Sequence, residues 1–123
     1  MKWAAAGAAV SFVLQAGLAQ ADAAAELAKL RAEIDGLVGQ GRCMNLVQCR
    51  VVSLGSTPCG GPSEYLAYSW ISTDKGALET KIAEYGFLQE DVQKNQSAAG
   101  ACVAVPEPVA ACVNNRCVLS SPR

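Results

Sequence analysis

The chain has 123 residues, a formal net charge of −1 and no histidine. This near-neutral balance excludes the basic surface that a nucleic-acid backbone or an anionic membrane would require, so we expect neither as a partner. The length suits one domain, and aromatic residues make up only 6 % of the chain, which predicts a small core of the kind that exported domains reinforce with disulfides.

Residues 1–21 are typical of a secretory signal peptide. Lys2 precedes an apolar run that ends at Leu18, and the small-x-small triplet AQA follows it. The run is shorter than the roughly 20 continuous apolar residues of a membrane-spanning helix. We therefore expect cleavage after Ala21 or Ala23, no stable membrane anchor afterwards, and a periplasmic or secreted protein.

Residues 22–42 are predicted to form a helix and a glycine-rich linker. The apolar residues that recur at helical spacing over Ala23–Val38 are Leu27, Leu30, Ile34 and Leu37. This stripe is too short to predict a coiled coil. We expect the helix to lie on the domain's own core or to be partly loose, and contact with a partner through the stripe is the alternative.

A cysteine-rich domain is predicted over residues 43–119, with a short tail at 120–123. Strand patterns cover Asn45–Leu54 and Glu64–Ser72, and the turn-rich loop Gly55–Ser63 between them predicts an antiparallel pair. The residues of the second strand expected to face the core are Leu66, Tyr68 and Trp70.

A second helix follows this pair of strands. We expect it to begin at Ser72 or Thr73, with Asp74 near its positive end, and to run to about Lys94. Its apolar residues again recur at helical spacing, which predicts a face packed on the core. A flexible link at Asn95–Ala101 then leads to the last strands.

A terminal hairpin is predicted around Asn114-Asn115, because asparagine tolerates the positive φ of tight hairpin turns. In this register Cys112 faces Cys117 in a non-hydrogen-bonded pair, where side chains come closest. A bridge between the two is sterically possible, but so small a loop removes little chain entropy, so we favour other partners for both. The order of elements predicts an α+β fold: a small antiparallel sheet with one packed helix, an N-terminal helix and disulfide staples.

Six cysteines follow the predicted signal peptide: Cys43, Cys49, Cys59, Cys102, Cys112 and Cys117. An even number in a short exported chain predicts three disulfides, whose pairing the sequence leaves open. Zinc is the rival, but Cys43 and Cys49 are separated by five residues and the chain offers no histidine. A redox site lacks its Cys-x-x-Cys motif. We predict structural disulfides, with no metal and no cofactor.

No arrangement of residues predicts catalysis, and we expect no enzyme. Without histidine, a Ser–His or Cys–His nucleophile is absent. The segment 72–75 fits the S-x-x-K motif, but the companion motifs are missing and a helix start explains the residues better. Most carboxylates lie on the polar side of the second helix, and no spacing selects an acid–base pair among them.

The loop Gly55–Ser63 is the candidate binding element, and its predicted binding residues are Pro58, Gly60, Gly61 and Pro62. Two prolines stiffen the loop and Cys59 anchors it, so it would lose little entropy on binding. The alternative is that the glycines only make the turn that lets Cys59 reach its partner. We expect a binding module, of inhibitor or immunity type, for an envelope or secreted protein. The alternative function is a structural or stress-related envelope protein with no dedicated partner.

The cysteine framework resembles that of a group of small exported bacterial proteins without an established activity. The pattern runs C-x5-C-R, then CGGP, then YLAYS, and ends in C-x4-C. Its residues here are Cys43, Cys49, Arg50, Cys59, Gly60, Gly61, Pro62, Tyr65, Ser69, Cys102 and Cys117. The resemblance implies export and the cysteine framework, and it implies no reaction.

Overall fold

The computed structural model describes residues 8–94 and 105–122, with side chains described from residue 21 onward. The predicted link Asn95–Ala101 and Cys102 lie outside the described residues. The elements are α1 (Ala8–Val38), β1 (Cys49–Leu54), β2 (Glu64–Ser69), α2 (Lys75–Lys94), β3 (Val109–Val113) and β4 (Arg116–Ser120). Among these residues, no helix combines the length and apolar character needed to cross a bilayer.

The predicted α+β fold is confirmed, but its strands form two separate antiparallel pairs instead of one sheet. The first hairpin joins β1 to β2, and the second joins β3 to β4 with the predicted register, Cys112 opposite Cys117. Asn114 and Asn115 form the turn of the second hairpin at φ values of 52° and 61°. These left-handed angles match the twist of the flanking strands, which is why the turn fixes the register.

The core is built from one residue of each of the first four elements: Ile34 of α1, Leu54 of β1, Tyr68 of β2 and Leu78 of α2. Side chains alternate along a strand, so one face of the first hairpin packs on both helices. The prediction that the N-terminal helix lies on the core is confirmed, because Ile34 is fully buried. The helix itself begins earlier than predicted, at Ala8.

Disulfides join the two hairpins on the opposite face of the first one. Cys43 is bonded to Cys112, and Cys49 is bonded to Cys117. The prediction that Cys112 and Cys117 have partners other than each other is therefore confirmed. Cys59 is also in a disulfide, and no free cysteine occurs among the described residues. These bonds indicate an oxidising compartment.

Two predictions about the chain after β2 are wrong. Trp70 is 48 % exposed and does not face the core, because the strand ends at Ser69 and the backbone turns there. The helix α2 begins at Lys75, later than the predicted start at Ser72 or Thr73, with Asp74 at its positive end as predicted. The Asp74 carboxylate accepts a hydrogen bond from the Ala77 amide at 3.1 Å and so caps the first turn.

Thr73 does not start α2, as predicted, but forms a hydrogen bond to the end of α1. Its hydroxyl donates to the carbonyl of Leu37 at 3.2 Å, near the end of α1, and the residue is buried. The contact satisfies one of the carbonyls that a helix end leaves without an intrahelical partner. It also fixes the end of α1 against the start of α2, which positions the segment that leads from α1 to the first cysteine.

Candidate interaction surfaces

The Gly60 loop, residues 55–63, closes one end of the first hairpin in a defined conformation. The Thr57 amide donates to the Gly61 carbonyl at 3.0 Å, and the Gly60 amide donates to the Thr57 carbonyl at 3.0 Å. The Thr57 hydroxyl adds a bond to the Gly60 carbonyl at 2.6 Å. Gly60 and Gly61 have φ values of 90° and 81°, angles that other residues rarely adopt.

The base of the Gly60 loop is tied to α2. The Ser56 amide donates to Oε1 of Gln89 at 2.8 Å, and Nε2 of Gln93 donates to the Ser56 carbonyl at 2.9 Å. Gln89 and Gln93 are one helical turn apart, so both amide groups reach the same residue of the loop. The loop therefore keeps its shape through hydrogen bonds at both its turn and its base.

The predicted binding residues lie together at the tip of this loop. Pro58, Gly60 and Gly61 are exposed and Pro62 is half-buried. A Cβ atom added at either glycine would meet no atom within 4 Å, so both glycines border open space, while Cys59 between Pro58 and Gly60 is held by its disulfide. The loop is ordered and accessible, but its side chains are small and offer a partner little contact area.

The opposite end of the same hairpin carries a larger apolar area. We call it the Trp70 surface, and its residues are Met44, Leu46, Val47, Trp70 and Ile71. All five are exposed, with Met44 at 86 % and Val47 at 70 %. The indole N–H of Trp70 donates to the Val47 carbonyl at 3.0 Å and the Trp70 amide donates to the Gln48 carbonyl at 3.1 Å, so the ring is held in place.

A cleft of about 480 Å³ adjoins the Trp70 surface. We call it the arginine cleft, and it is lined by Gln40, Arg42, Cys43, Met44, Ile71, Asn114, Asn115 and Arg116. The charged residues that line the cleft are Arg42 and Arg116. The apolar residues Met44 and Ile71 line it as well and also belong to the Trp70 surface. Residues from the linker after α1, the end of the first hairpin and the turn of the second hairpin meet here.

A second groove, of about 580 Å³, lies between α1 and α2. Its charged residues are already paired, because Nζ of Lys81 lies 2.9 Å from Glu33 and 3.6 Å from Glu84. The hydrogen bond from Lys81 lowers the pKa of the Glu33 carboxyl, and the same bond raises the pKa of Lys81. This groove therefore offers a ligand fewer unpaired charges than the arginine cleft does.

Three sulfur atoms, of Cys43, Cys49 and Cys117, lie within 4.8 Å of one another. This spacing follows from the two disulfides that pack side by side between the hairpins. Cysteine binds a metal ion as its thiolate, and a sulfur atom in a disulfide is not a thiolate. In the oxidised protein the cluster is a covalent staple.

The chain matches no family model, no curated protein and no solved structure. The sequence identified the Gly60 loop but missed the Trp70 surface and the arginine cleft. One local signal was available, since Arg42 and Arg116 each stand directly before a cysteine. It gains meaning only once the fold places these two arginines side by side.

Proposed function

We propose that this protein is a non-catalytic binding module that engages another protein through the Trp70 surface. The observation that carries the proposal is a group of exposed apolar side chains beside two arginines, in which the Trp70 ring is held by its hydrogen bond to the Val47 carbonyl. Tryptophan and arginine dominate the binding energy of protein interfaces, and methionine is enriched there. Isolated exposed apolar residues are ordinary, but a contiguous group with a polar edge is typical of an interaction site.

The rigidity of this region supports the same proposal. The disulfides Cys43–Cys112 and Cys49–Cys117 fix the segment before Met44 and the first strand to the second hairpin. A surface that is already ordered loses little conformational entropy when it binds. We infer that the module acts in the periplasm or outside the cell, and that it is an inhibitor or immunity-type protein for an envelope or secreted hydrolase.

The Gly60 loop is the second contact surface of the proposal. It stands at the other end of the hairpin from Trp70, so one compact partner would cover one end and leave the other free. Its small side chains supply a fixed backbone shape more than apolar area. We therefore assign the main binding energy to the Trp70 surface and treat the Gly60 loop as the place where a second contact would form.

The alternative, a structural or stress-related envelope protein, was motivated by the apolar stripe of the first helix. Leu30 and Ile34 of that stripe are buried within the chain's own core. Leu37 also packs against this core, and Leu27 is half-buried, so little of the stripe is exposed for self-association and the alternative has less support than the proposal. Sedimentation of the chain as a concentration-dependent oligomer would favour it over the proposal.

The test is capture of a partner from envelope extract by the immobilised oxidised chain, with binding then measured on the purified partner. Met44→Ser removes exposed apolar area without touching the core, and we expect about a tenfold loss of affinity. Phe87→Ser is the matched control, because Phe87 is 71 % exposed on α2, outside the Trp70 surface. Equal binding by the wild type and Met44→Ser would contradict the proposal. A captured hydrolase that keeps full activity would contradict the inhibitor role.

A further inference from the structure

Arg42 and Arg116 lie directly opposite each other in an isolated antiparallel bridge. The Cys43 amide donates to the Asn115 carbonyl at 3.1 Å, and the Cys117 amide donates to the Gly41 carbonyl at 2.7 Å. These bonds flank the two arginines, so the arginines themselves form the non-hydrogen-bonded pair. In such a pair the Cβ atoms are about 5 Å apart and both side chains leave the same face.

No carboxylate of the described residues pairs with either of the two guanidinium groups. Among the described residues, neither Arg42 nor Arg116 forms an ion pair, and no carboxylate lines the cleft that they share. Arg31 provides the contrast, because it is paired with both Asp35 and Glu64. Like charges directly opposite on neighbouring strands are destabilising. An anion between the two arginines would remove that cost.

We propose that the arginine cleft binds the carboxylate of an aspartate or glutamate side chain on the partner protein, an assignment that rests on the proposed function. The guanidinium group has a planar fork of donors that matches the two oxygens of a carboxylate. Asn114 and Asn115 line the same cleft and add amide donors at its edge.

The apolar lining selects a peptide carboxylate over a free inorganic anion. Met44 and Ile71 lie in the same cleft as the arginines and are 86 % and 50 % exposed. A phosphate ion would leave both side chains in water, whereas an acidic residue with an apolar neighbour would cover them and gain from their burial. The recognised element is therefore an acidic residue next to an apolar one, on the partner's surface.

The test is an NMR titration of the oxidised chain with the blocked peptide N-acetyl-Leu-Glu-Leu-amide. We expect chemical-shift changes at residues 40–44, 71 and 114–116, and binding that weakens as sodium chloride is added. The peptide with glutamine in place of glutamate should bind about tenfold more weakly or not at all, because the charge-assisted bonds are lost. Equal binding of the two peptides would overturn the assignment.

Variants and a second anion complete the experiment. Arg42→Gln and Arg116→Gln should each abolish the glutamate-dependent shifts, while Arg50→Gln, an exposed arginine of β1 outside the cleft, should leave them unchanged. Unchanged shifts in both cleft variants would overturn the proposal. Inorganic phosphate binding as tightly as the peptide would also overturn it, because the cleft would then be a general anion site.

The captured partner separates this inference from the proposed function. If Met44→Ser loses the partner while Arg42→Gln and Arg116→Gln keep it, the Trp70 surface stands and carboxylate recognition fails. If all three variants bind the partner like the wild type, the proposed function fails as well. Loss of binding in all three, with retention in Phe87→Ser and Arg50→Gln, is the result that supports both.

Discussion

The two ends of the first hairpin are tied to different parts of the molecule. At the Gly60 loop, hydrogen bonds with Gln89 and Gln93 hold the backbone against α2, and Cys59 adds a disulfide. At the Trp70 surface, two covalent bridges hold β1 and the segment before it against the second hairpin. The two ends also differ in their exposed side chains, which are small at the Gly60 loop and include five large apolar residues at the Trp70 surface. We propose that these five residues contact a partner.

The largest expected effect is removal of both bridges, by replacing Cys43, Cys49, Cys112 and Cys117 with alanine. The two bridges close almost the same long loop, with sequence separations of 69 and 68 residues. When one bridge is already present, the second bridge closes a much shorter ring. This ring consists of residues 43–49, residues 112–117 and the first bridge. We therefore expect each single removal to lower the free energy of unfolding by about 3 kcal/mol, and the double removal by roughly 7 kcal/mol.

Chemical denaturation of the wild type, both single-bridge variants and the double variant would measure these losses. A domain of this size has a free energy of unfolding of about 5–15 kcal/mol, so the single variants should remain folded and the double variant should have the lowest denaturation midpoint of the series. Unfolding of the chain after removal of a single bridge would contradict this prediction, because the remaining bridge should still close the long loop.

At the Gly60 loop, Gly55→Ala should have the next largest effect on stability. Gly55 has a φ of 72°, and an added Cβ would collide with Oε1 of Gln89 and with Oγ of Ser63. We expect a loss of about 2 kcal/mol in the free energy of unfolding, from backbone strain and displacement of the loop. Gly86→Ala is the control, because Gly86 lies within α2 with open space around it, and this change should stabilise by about 0.5–1 kcal/mol.

A smaller effect is expected from Gln89→Ala, which leaves the Ser56 amide without its acceptor. The loss should be about 1 kcal/mol, the usual worth of one hydrogen bond in a partly buried place. Amide hydrogen exchange should become faster in residues 55–63 and stay unchanged in the second hairpin. Faster exchange in the second hairpin would show that the Gly60 loop and the second hairpin are coupled, and would contradict the separate anchoring of the two ends.

The smallest effect concerns the ion pair between the helices. The pKa of Glu33 is lowered from its ordinary value of 4.5 by the hydrogen bond from Lys81, so the pair's contribution is present above that value and is lost as the pH falls through the lowered pKa. The raised pKa of Lys81 means that the contribution is also lost at very high pH, above the ordinary value of 10.5. Between neutral and acidic pH, the free energy of unfolding of Lys81→Met should therefore fall by less than that of the wild type.

Denaturation midpoints of the two proteins at neutral pH and below pH 4 would measure this difference. Lys75→Met is the control, because Lys75 lies farther from its partner, at 3.7 Å from Glu79, and both side chains are mostly exposed. A midpoint of Lys81→Met that drops as steeply with acid as that of the wild type would mean that the pair contributes nothing.

Local chemistry was sufficient to predict the elements whose cause is local. The asparagine turn fixed the register of the second hairpin, and helical spacing identified Ile34 as a core residue. The predictions for Trp70 and for the start of α2 were wrong because both depend on where β2 ends. A tryptophan continues an apolar alternation in the sequence, but the chain leaves the sheet at Ser69 and turns.

The candidate sites divide in the same way. The Gly60 loop could be found because its turn residues are consecutive in the chain. The disulfide pairing and the arginine cleft could not, because each depends on contacts between residues far apart in sequence. Arg42 meets Arg116 only after the linker that follows α1 pairs with the second hairpin, and no spacing along the chain records that pairing.

The position of the bridges has a consequence for timing during biosynthesis. Cys43 directly follows Arg42, and Cys117 directly follows Arg116, so each arginine is one residue away from a bond that must form by oxidation. A newly made chain, still among cytosolic reductants, lacks both bonds and has nothing covalent to keep the two arginines adjacent. The proposed recognition of a partner would thus begin only after the bridges have formed.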